Sequence, residues 1–277
     1  MAYSTKTPSN LYKSMQRYVL TPQQQEVNCY PRRDVQNKAI INPQRVSQLQ
    51  SMPSVKLAHD ERMCNRSTTV YKVDCNGMSV NRDDTCSYHW GSSYPRRGGY
   101  KTPYSCCNRD SNSKGCTKNK WHISNIGNLD CSRKEFVSTI EKSQLPDGNY
   151  GVYALDCEMV YTTESAELTR IAVISSDGKM VYETFVKPNN KILYYNTRFS
   201  GITEEDLLNV KTTLKDVQSF LLDLLSSKSI LIGHGLDGDL RALRMMHDTV
   251  IDTSGKNNCR EDAIVCMELM MWKIKQL

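Results

Sequence analysis

The apolar and polar positions divide the chain into two unlike halves. From Tyr150 onward, apolar runs recur at strand and helix periods. A first strand runs to about Tyr161, a second from Leu168 to Ser175 and a third from Met180 to Val186, closed by Pro188. Asp177-Gly178 between the last two is a hairpin turn signal. Leu214, Val217, Leu221, Leu224 and Leu225 form a helical stripe, and Thr203-Glu204-Glu205-Asp206 resembles a capping box with Asp where Glu is usual. Ser229 to Ile232 and Thr249 to Ile251 read as a fourth and a fifth strand. Residues 261–274 predict a final helix, apolar around most of its surface and therefore well buried. Three antiparallel strands followed by alternating helix and strand predict an α/β domain: a mixed sheet with flanking helices.

The first half is patterned differently. Residues 9–27 read as two short helices, the second opened by Thr21 as N-cap and Pro22 at the first helical position. Residues 61–131 are rich in Cys, Gly, Tyr and basic residues and poor in aliphatics, so they cannot build much core alone. Residues 132–143 predict a helix leading to the linker around Pro146-Asp147-Gly148-Asn149. The expected organisation is a helical segment and linker over 1–60, a Cys/His-rich module over 61–131, a helix and linker over 132–149, and the α/β domain over 150–277.

Inside the first strand of that domain the pattern is broken by two acids, Asp156 and Glu158. Side chains two apart in a strand share a face. Two like charges on one buried face are costly unless paired or bound to a metal. Carboxylate oxygens are the donors that Mg²⁺ or Mn²⁺ prefers. The alternative is an edge strand with both acids in water. Two further acids, Asp239 after the fourth strand and Asp262 at the start of the last helical pattern, complete a set of four. Four carboxylates can hold two hard cations, which clamp the attacking and leaving oxygens of a phosphodiester.

The segments YALDCEMVYTTESAELTRIAV, FVKP, NTRFSGIT, ILIGHGLDGDLRAL and EDAIVCMELMMWKI resemble the RNA exonuclease 1 / GOR antigen family, and LYKSMQRYVLTPQQQEVNCYPR and YHWG extend the likeness over nearly the whole chain. That family lies in the DEDD superfamily of 3′-to-5′ exonucleases, with a ribonuclease H-like fold. The resemblance implies Asp156, Glu158, Asp239 and Asp262 as catalytic ligands of two Mg²⁺ or Mn²⁺ ions. It implies Met159, Ser200, Gly201 and Ile202 beside the terminal nucleotide. It also implies a single-stranded RNA 3′ end as substrate, with DNA as a second candidate, and a nuclear location. The chain departs from the family at one place. The histidine expected five residues before the last acid, the general base, is Asn257 here, and an amide cannot take that role. Asp252 and Asp262 are only ten residues apart where relatives carry a longer segment with a helix, so a flanking helix is expected to be absent and the fourth acid misplaced. His234 and His247 are alternative bases, each with a structural reading: turn ordering for His234, a satisfied internal histidine for His247.

Charge and cysteine usage add to this picture. The net charge of +6 hides an asymmetry: residues 1–150 carry 22 Lys and Arg against 12 Asp and Glu, residues 151–277 carry 14 against 18. A basic half beside an acidic one suits a phosphate backbone, though a solvated basic surface needs no ligand. No signal-peptide core opens the chain and no run reaches membrane-spanning length, so no membrane partner is expected and the chain is read as intracellular. Eleven cysteines in a reducing compartment favour metal ligands or free thiols. The expected zinc ligands are Cys86, His89, Cys107 and Cys116, with Cys64, Cys106 and His122 in reserve; Ser67 stands where the family carries a second cysteine of a Cys-x-x-Cys pair. Tyr88, Trp90, Tyr94, Arg96, Arg97, Tyr100 and Lys101 mix aromatics with cations, as a single-strand binding surface does. The functions compatible with the sequence are thus an exoribonuclease, a catalytically impaired nucleic-acid-binding protein on the same fold, or a chain whose working part is the Cys/His module.

Overall fold

The computed structural model describes residues 8–36, 38–42, 57–81, 83–94, 101–125 and 135–254. Helix α1 spans Pro8–Met15 and α2 spans Pro22–Val27, the latter opened by a reciprocal cap between Thr21 and Gln24. Two short antiparallel pairings of Arg32–Arg33 (β1) with Ala39–Ile40 (β2) and of Glu61–Met63 (β3) with Val70–Lys72 (β4) follow. Cys86–Tyr88 (β5) pairs with Thr117–Asn119 (β6), and Val137–Ser138 forms β7. The main sheet then begins with β8, Val152–Thr162, β9, Ala166–Ser175, and β10, Met180–Phe185, with β11, Ile192–Tyr194, beside the end of β8. Helices α3 (Thr197–Ser200), α4 (Glu204–Leu207) and α5 (Leu214–Leu224) lead into β12, Ile230–Gly233. Helix α6 (Leu236–Ala242), β13 (Met245–Met246) and β14 (Val250–Asp252) complete the described chain.

The sheet order is β10-β9-β8-β12-β14. The first three strands are antiparallel, and β12 runs parallel to both β8 and β14. This is the ribonuclease H-like mixed sheet that the strand pattern predicts. Its two faces are filled by alternation along single strands. Leu231 on β12 and Leu155 and Cys157 on β8 face the larger core, with Val217 and Leu221 of α5 and Leu236 and Leu240 of α6. Ile230 and Ile232 face the other way, with Val152 and Ile251. Tyr12 and Met15 of α1 cover that second face.

The N-terminal segment is therefore part of the sheet's cover rather than an appendage. Tyr12 Oη donates to the Lys228 carbonyl at 2.7 Å, Leu20 N–H to Val250 O at 2.9 Å, and Gln25 Nε2 to Asp248 O at 2.7 Å. These partners lie more than two hundred residues away in sequence, which no local pattern encodes.

One element is corrected. Residues 132–143 are expected to be helical, but their described part carries β7, which pairs in parallel with β13. The β-branched Val137, Thr139 and Ile140 suit a strand, and Thr139 sits 1% exposed against His247. The expected helix at 261–274 lies outside the described residues, as do Asn257 and Asp262. Among the described residues no helix is long and apolar enough to cross a membrane.

Truncating an aromatic side chain from a core costs about 3 kcal/mol or more. Tyr12→Ala should lower stability by about that amount in a denaturant titration, although it lies far in sequence from every strand it covers. A loss below about 0.5 kcal/mol, the scale of an ordinary surface change, would show that the N-terminal helix is not part of the core.

Candidate active site

Asp156 and Glu158 sit near the middle of β8 on the face opposite Leu155 and Cys157, both half-buried. Asp156 pairs with Ala172 of β9, and Glu158 stands directly across from Arg170, a cation on the same face. The register then shifts between Glu158 and Met159, and Thr169 Oγ1 donates to the Glu158 carbonyl at 3.0 Å across that irregularity. Strand β12 matches β8 only as far as Ile232 opposite Ala154, so both acids lie just past the end of that pairing.

The turn after β12 leads into the helix that carries the third acid, within electrostatic reach of Asp156. An added Cβ at Gly233 would meet the Leu236 side chain at 2.7 Å and the Leu155 carbonyl at 3.2 Å, so any larger residue would push the next helix and strand apart. Gly235 takes φ +68° and caps α6. Helix α6 packs on β8, and the Asp239 side chain on it is only 7% exposed.

Two other acids of this neighbourhood are compensated. Asp237 Oδ2 accepts from Arg241 Nη1 at 2.8 Å, and the same guanidinium nitrogen donates to the Cys29 carbonyl. Asp252 accepts from the Tyr30 hydroxyl at 2.6 Å and from the backbone N–H of Gly235 and Ser254 at 2.9 Å each. Burial acts to raise the Asp252 carboxyl, but these donors outweigh it and hold the group below the usual carboxylate range. Tyr30 is the reverse case: burial, then the Asp252 charge, pushes its phenol far above its ordinary range, so it acts as a donor.

Asp239 lacks such compensation. Burial first, then the charges of Asp156, Asp237 and Asp252, push its carboxyl well above the usual range, with Arg241 as the opposing influence. A buried acid facing other acids is the setting in which a hard divalent cation offsets the desolvation cost, and the donor set, all carboxylate oxygen, fits Mg²⁺ or Mn²⁺. The approach is not yet a closed cage. Among the described residues, the groups of three or more ligands lying within 4.8 Å of one another are two Cys/His sets, and Asp156, Glu158 and Asp239 do not form a third. Like charges without a cation between them repel.

The remaining expected site residues divide by burial. Helix α3 packs on β8. Ser200 is buried, its hydroxyl donating to Tyr195 O at 3.0 Å and accepting from Ile202 N–H at 3.1 Å; Ile202 is 2% exposed. Gly201 is exposed at φ +67°, Met159 is half-buried, and Phe199 stands out into solvent. The guanidinium of Arg198 lies 4.1 Å over the ring of Trp90, which joins this turn to the Cys/His module.

The histidines read structurally. His247 is buried between Thr139 Oγ1 at 2.9 Å and the Ser229 carbonyl at 2.8 Å, with burial lowering its pKa. The His234 ring meets Thr253 Oγ1 at 3.1 Å and orders the turn between β12 and α6.

The expected zinc set is corrected. Cys86 does not lie with His89, Cys107 and Cys116; Cys106 completes that group. Cys86 instead joins Cys64 and His122 in a separate buried set, because β5 carries Cys86 inward and His89 lies beyond the strand's end. The adjacent Cys86 thiol holds Cys64 down at about 3, and Cys86 is raised in turn. Sequence reasoning missed Tyr30, Asp237, Arg241 and Asp252 as members of the acidic neighbourhood. Only the doubled acid in Asp237-Gly238-Asp239 gave any signal of them.

Comparison with known proteins finds matches over much of the chain. Residues 153–264, the span that carries Asp156, Glu158 and Asp239, match the RNase_T family model, described as Exonuclease. More particularly, the chain is a relative of RNA exonuclease 1 and the GOR exonucleases. It is 38% identical to the RNA exonuclease 1 homolog of Homo sapiens over 96% of this chain and 24% of that protein. It is 41% identical to exonuclease GOR of Pan troglodytes over 78% of this chain and 36% of that protein. The chain thus spans well under half the length of these relatives. The protease and nuclease unit of Neurospora crassa Pan2 aligns at 19% identity with a TM-score of 0.37, over 69% of this chain and 43% of that one. Both the Homo sapiens and the Pan troglodytes relative are named as exonucleases.

The raised Asp239 predicts a pH dependence. An acid raised in the folded state contributes stability that is full below its unfolded value, near 3.8, and lost as pH rises toward the folded one. In chelator-treated protein, Asp239→Asn should therefore raise the melting temperature at pH 7 and flatten the decline above pH 4. Mg²⁺ should stabilise the unsubstituted protein and leave the variant's melting temperature nearly unchanged. Equal stabilisation of both by Mg²⁺ would separate Asp239 from cation binding.

Proposed function

We propose that this chain is a metal-dependent exoribonuclease that shortens single-stranded RNA from the 3′ end, using two Mg²⁺ or Mn²⁺ ions at Asp156, Glu158, Asp239 and Asp262. One observation carries this reading: the helix that holds buried Asp239 packs on β8, the strand whose one face carries Asp156 and Glu158. When bound, two such cations supply Lewis acidity toward the entering water and the departing 3′ oxygen. The chain's own acids set the ligand positions. Asp156 and Glu158 share a face because β8 is extended, and Asp239 is fixed by the glycine turn. Pairing Asp237 with Arg241 and Asp252 with Tyr30 keeps those two acids engaged elsewhere.

Ser200-Gly201-Ile202 and Met159 are the proposed contacts for the terminal nucleotide. The fixed Ser200 hydroxyl holds the turn, the bare Gly201 allows close approach, and exposed Phe199 offers a ring to a base. The basic first half supplies attraction for the backbone. A nuclear location belongs to the same proposal and rests on resemblance.

A second reading is favoured by Asn257, which stands where the resemblance places a general base. Loss of such a base costs about 10²–10⁴-fold in rate, which would leave binding with little turnover. RNA labelled at its 5′ end, incubated with the protein and Mg²⁺, tests both. The expected result is a ladder of shortened products, lost by at least about 100-fold in Asp156→Ala, the scale of one electrostatic contact to the transition state. Binding without any ladder in either protein would overturn the nuclease reading and support the second.

A further inference from the structure

The Cys/His-rich module contains two constellations, both beside the antiparallel pair of β5 and β6. We propose that it holds two zinc ions: one at His89, Cys106, Cys107 and Cys116, and a second at Cys64, Cys86 and His122, with the Ser67 hydroxyl at its fourth vertex. This proposal is independent of the nuclease reading.

The distances carry the argument. Tetrahedral zinc, with Zn–S of about 2.3 Å and Zn–N of about 2.0 Å, separates two sulfurs by about 3.8 Å and a sulfur from a nitrogen by about 3.6 Å. In the first set His89 Nδ1 lies 3.5 Å from Cys106 Sγ and 3.4 Å from Cys107 Sγ, and Cys116 Sγ lies 3.5 Å from Cys106 Sγ. In the second set Cys64 Sγ and Cys86 Sγ are 3.6 Å apart, far beyond the disulfide bond length of about 2.0 Å. These are edges of a tetrahedron.

The imidazoles are oriented as ligands. His89 Nδ1 faces its thiols, while Nε2 lies 3.2 Å from the Ser113 carbonyl, which fixes the proton on Nε2. His122 is 3% exposed, and its Nε2 makes no hydrogen bond but points toward Asp84 Oδ2 at 3.5 Å. A cation on Nδ1 would fix the proton on Nε2 and draw in that carboxylate, the usual outer partner of a metal-bound histidine.

The second site is where the chain departs from a full ligand set. Cys64 directly follows β3, and Thr68 N–H returns to the Cys64 carbonyl at 2.9 Å, closing a tight turn. That turn carries the Ser67 hydroxyl to 3.2 Å from His122 Nδ1. A hydroxyl therefore occupies the corner that a second Cys-x-x-Cys thiolate would fill. It is a weaker donor for zinc, so this ion is held less tightly. The site's location gives the ion a task. Cys64, Cys86, Tyr88 and Ile123 pack directly on Tyr161 of β8 and on Leu193 and Tyr194 of β11. An ion there pins the module to the exonuclease sheet.

Protein purified without chelator should contain two zinc ions per chain by mass spectrometry. Challenge with a chromogenic chelator should release them in two phases, one at least about tenfold faster, the scale of a weakened ligand shell. Ser67→Cys should keep two ions and abolish the fast phase. Replacement of zinc by Co²⁺ should give a sulfur-to-metal absorption that grows by about one fifth in Ser67→Cys, as five thiolates become six. One ion or none per chain, in both the unsubstituted protein and Ser67→Cys, would overturn the second site. Two ions released alike from both proteins would overturn the Ser67 vertex.

Discussion

Keeping charge inside a folded protein is costly, and around the end of β12 three aspartates act on a fourth, the buried Asp239. The surrounding structure follows from how that cost is met. Arg241 answers Asp237, and the same guanidinium reaches back to the Cys29 carbonyl. Tyr30 and two backbone amides answer Asp252. Both answers come partly from the first thirty residues, which is why that segment had to fold against the sheet. Only Asp239 is left with its charge opposed on nearly every side, and an uncompensated acid beside a strand carrying two more is a place for a cation.

Much of the domain was legible in the sequence because its determinants are local. The alternation along β8, the Asp177-Gly178 turn and the stripe from Leu214 to Leu224 each need only neighbours in the chain. Asp156, Glu158 and Asp239 were legible because acids in apolar runs violate that local pattern. What escaped was set by long-range contact. The pairing of β7 with β13 joins residues more than one hundred apart, so a segment with no strong period of its own takes its conformation from its partner. Tyr30 and Asp252 look ordinary until the fold closes over two hundred residues between them.

The cysteines teach the same lesson more sharply. Two sets of ligands are interleaved along the chain, with Cys86 of one only three residues from His89 of the other. Spacing alone groups those two because they are close in sequence. The strand between them sends its ends to different neighbours, Cys86 against Ile123 and His89 against the ring of Tyr104, stacked at 3.7 Å. Topology, not spacing, assigns the ligands.

Arg66 lies between two aromatic rings, 4.4 Å from the centroid of Tyr88 in the module and 4.6 Å from that of Tyr194 in the sheet, while Nη2 donates to the Trp121 carbonyl. A flat cation sandwiched in this way acts like a key in a slot. It resists sliding of the two lobes past each other, where an aliphatic contact alone would permit shear. Lysine, with a compact head, would leave the slot half filled. The corner between module and sheet is therefore keyed by Arg66 as well as by the packing of Cys64, Cys86, Tyr88 and Ile123 on Tyr161 and Tyr194.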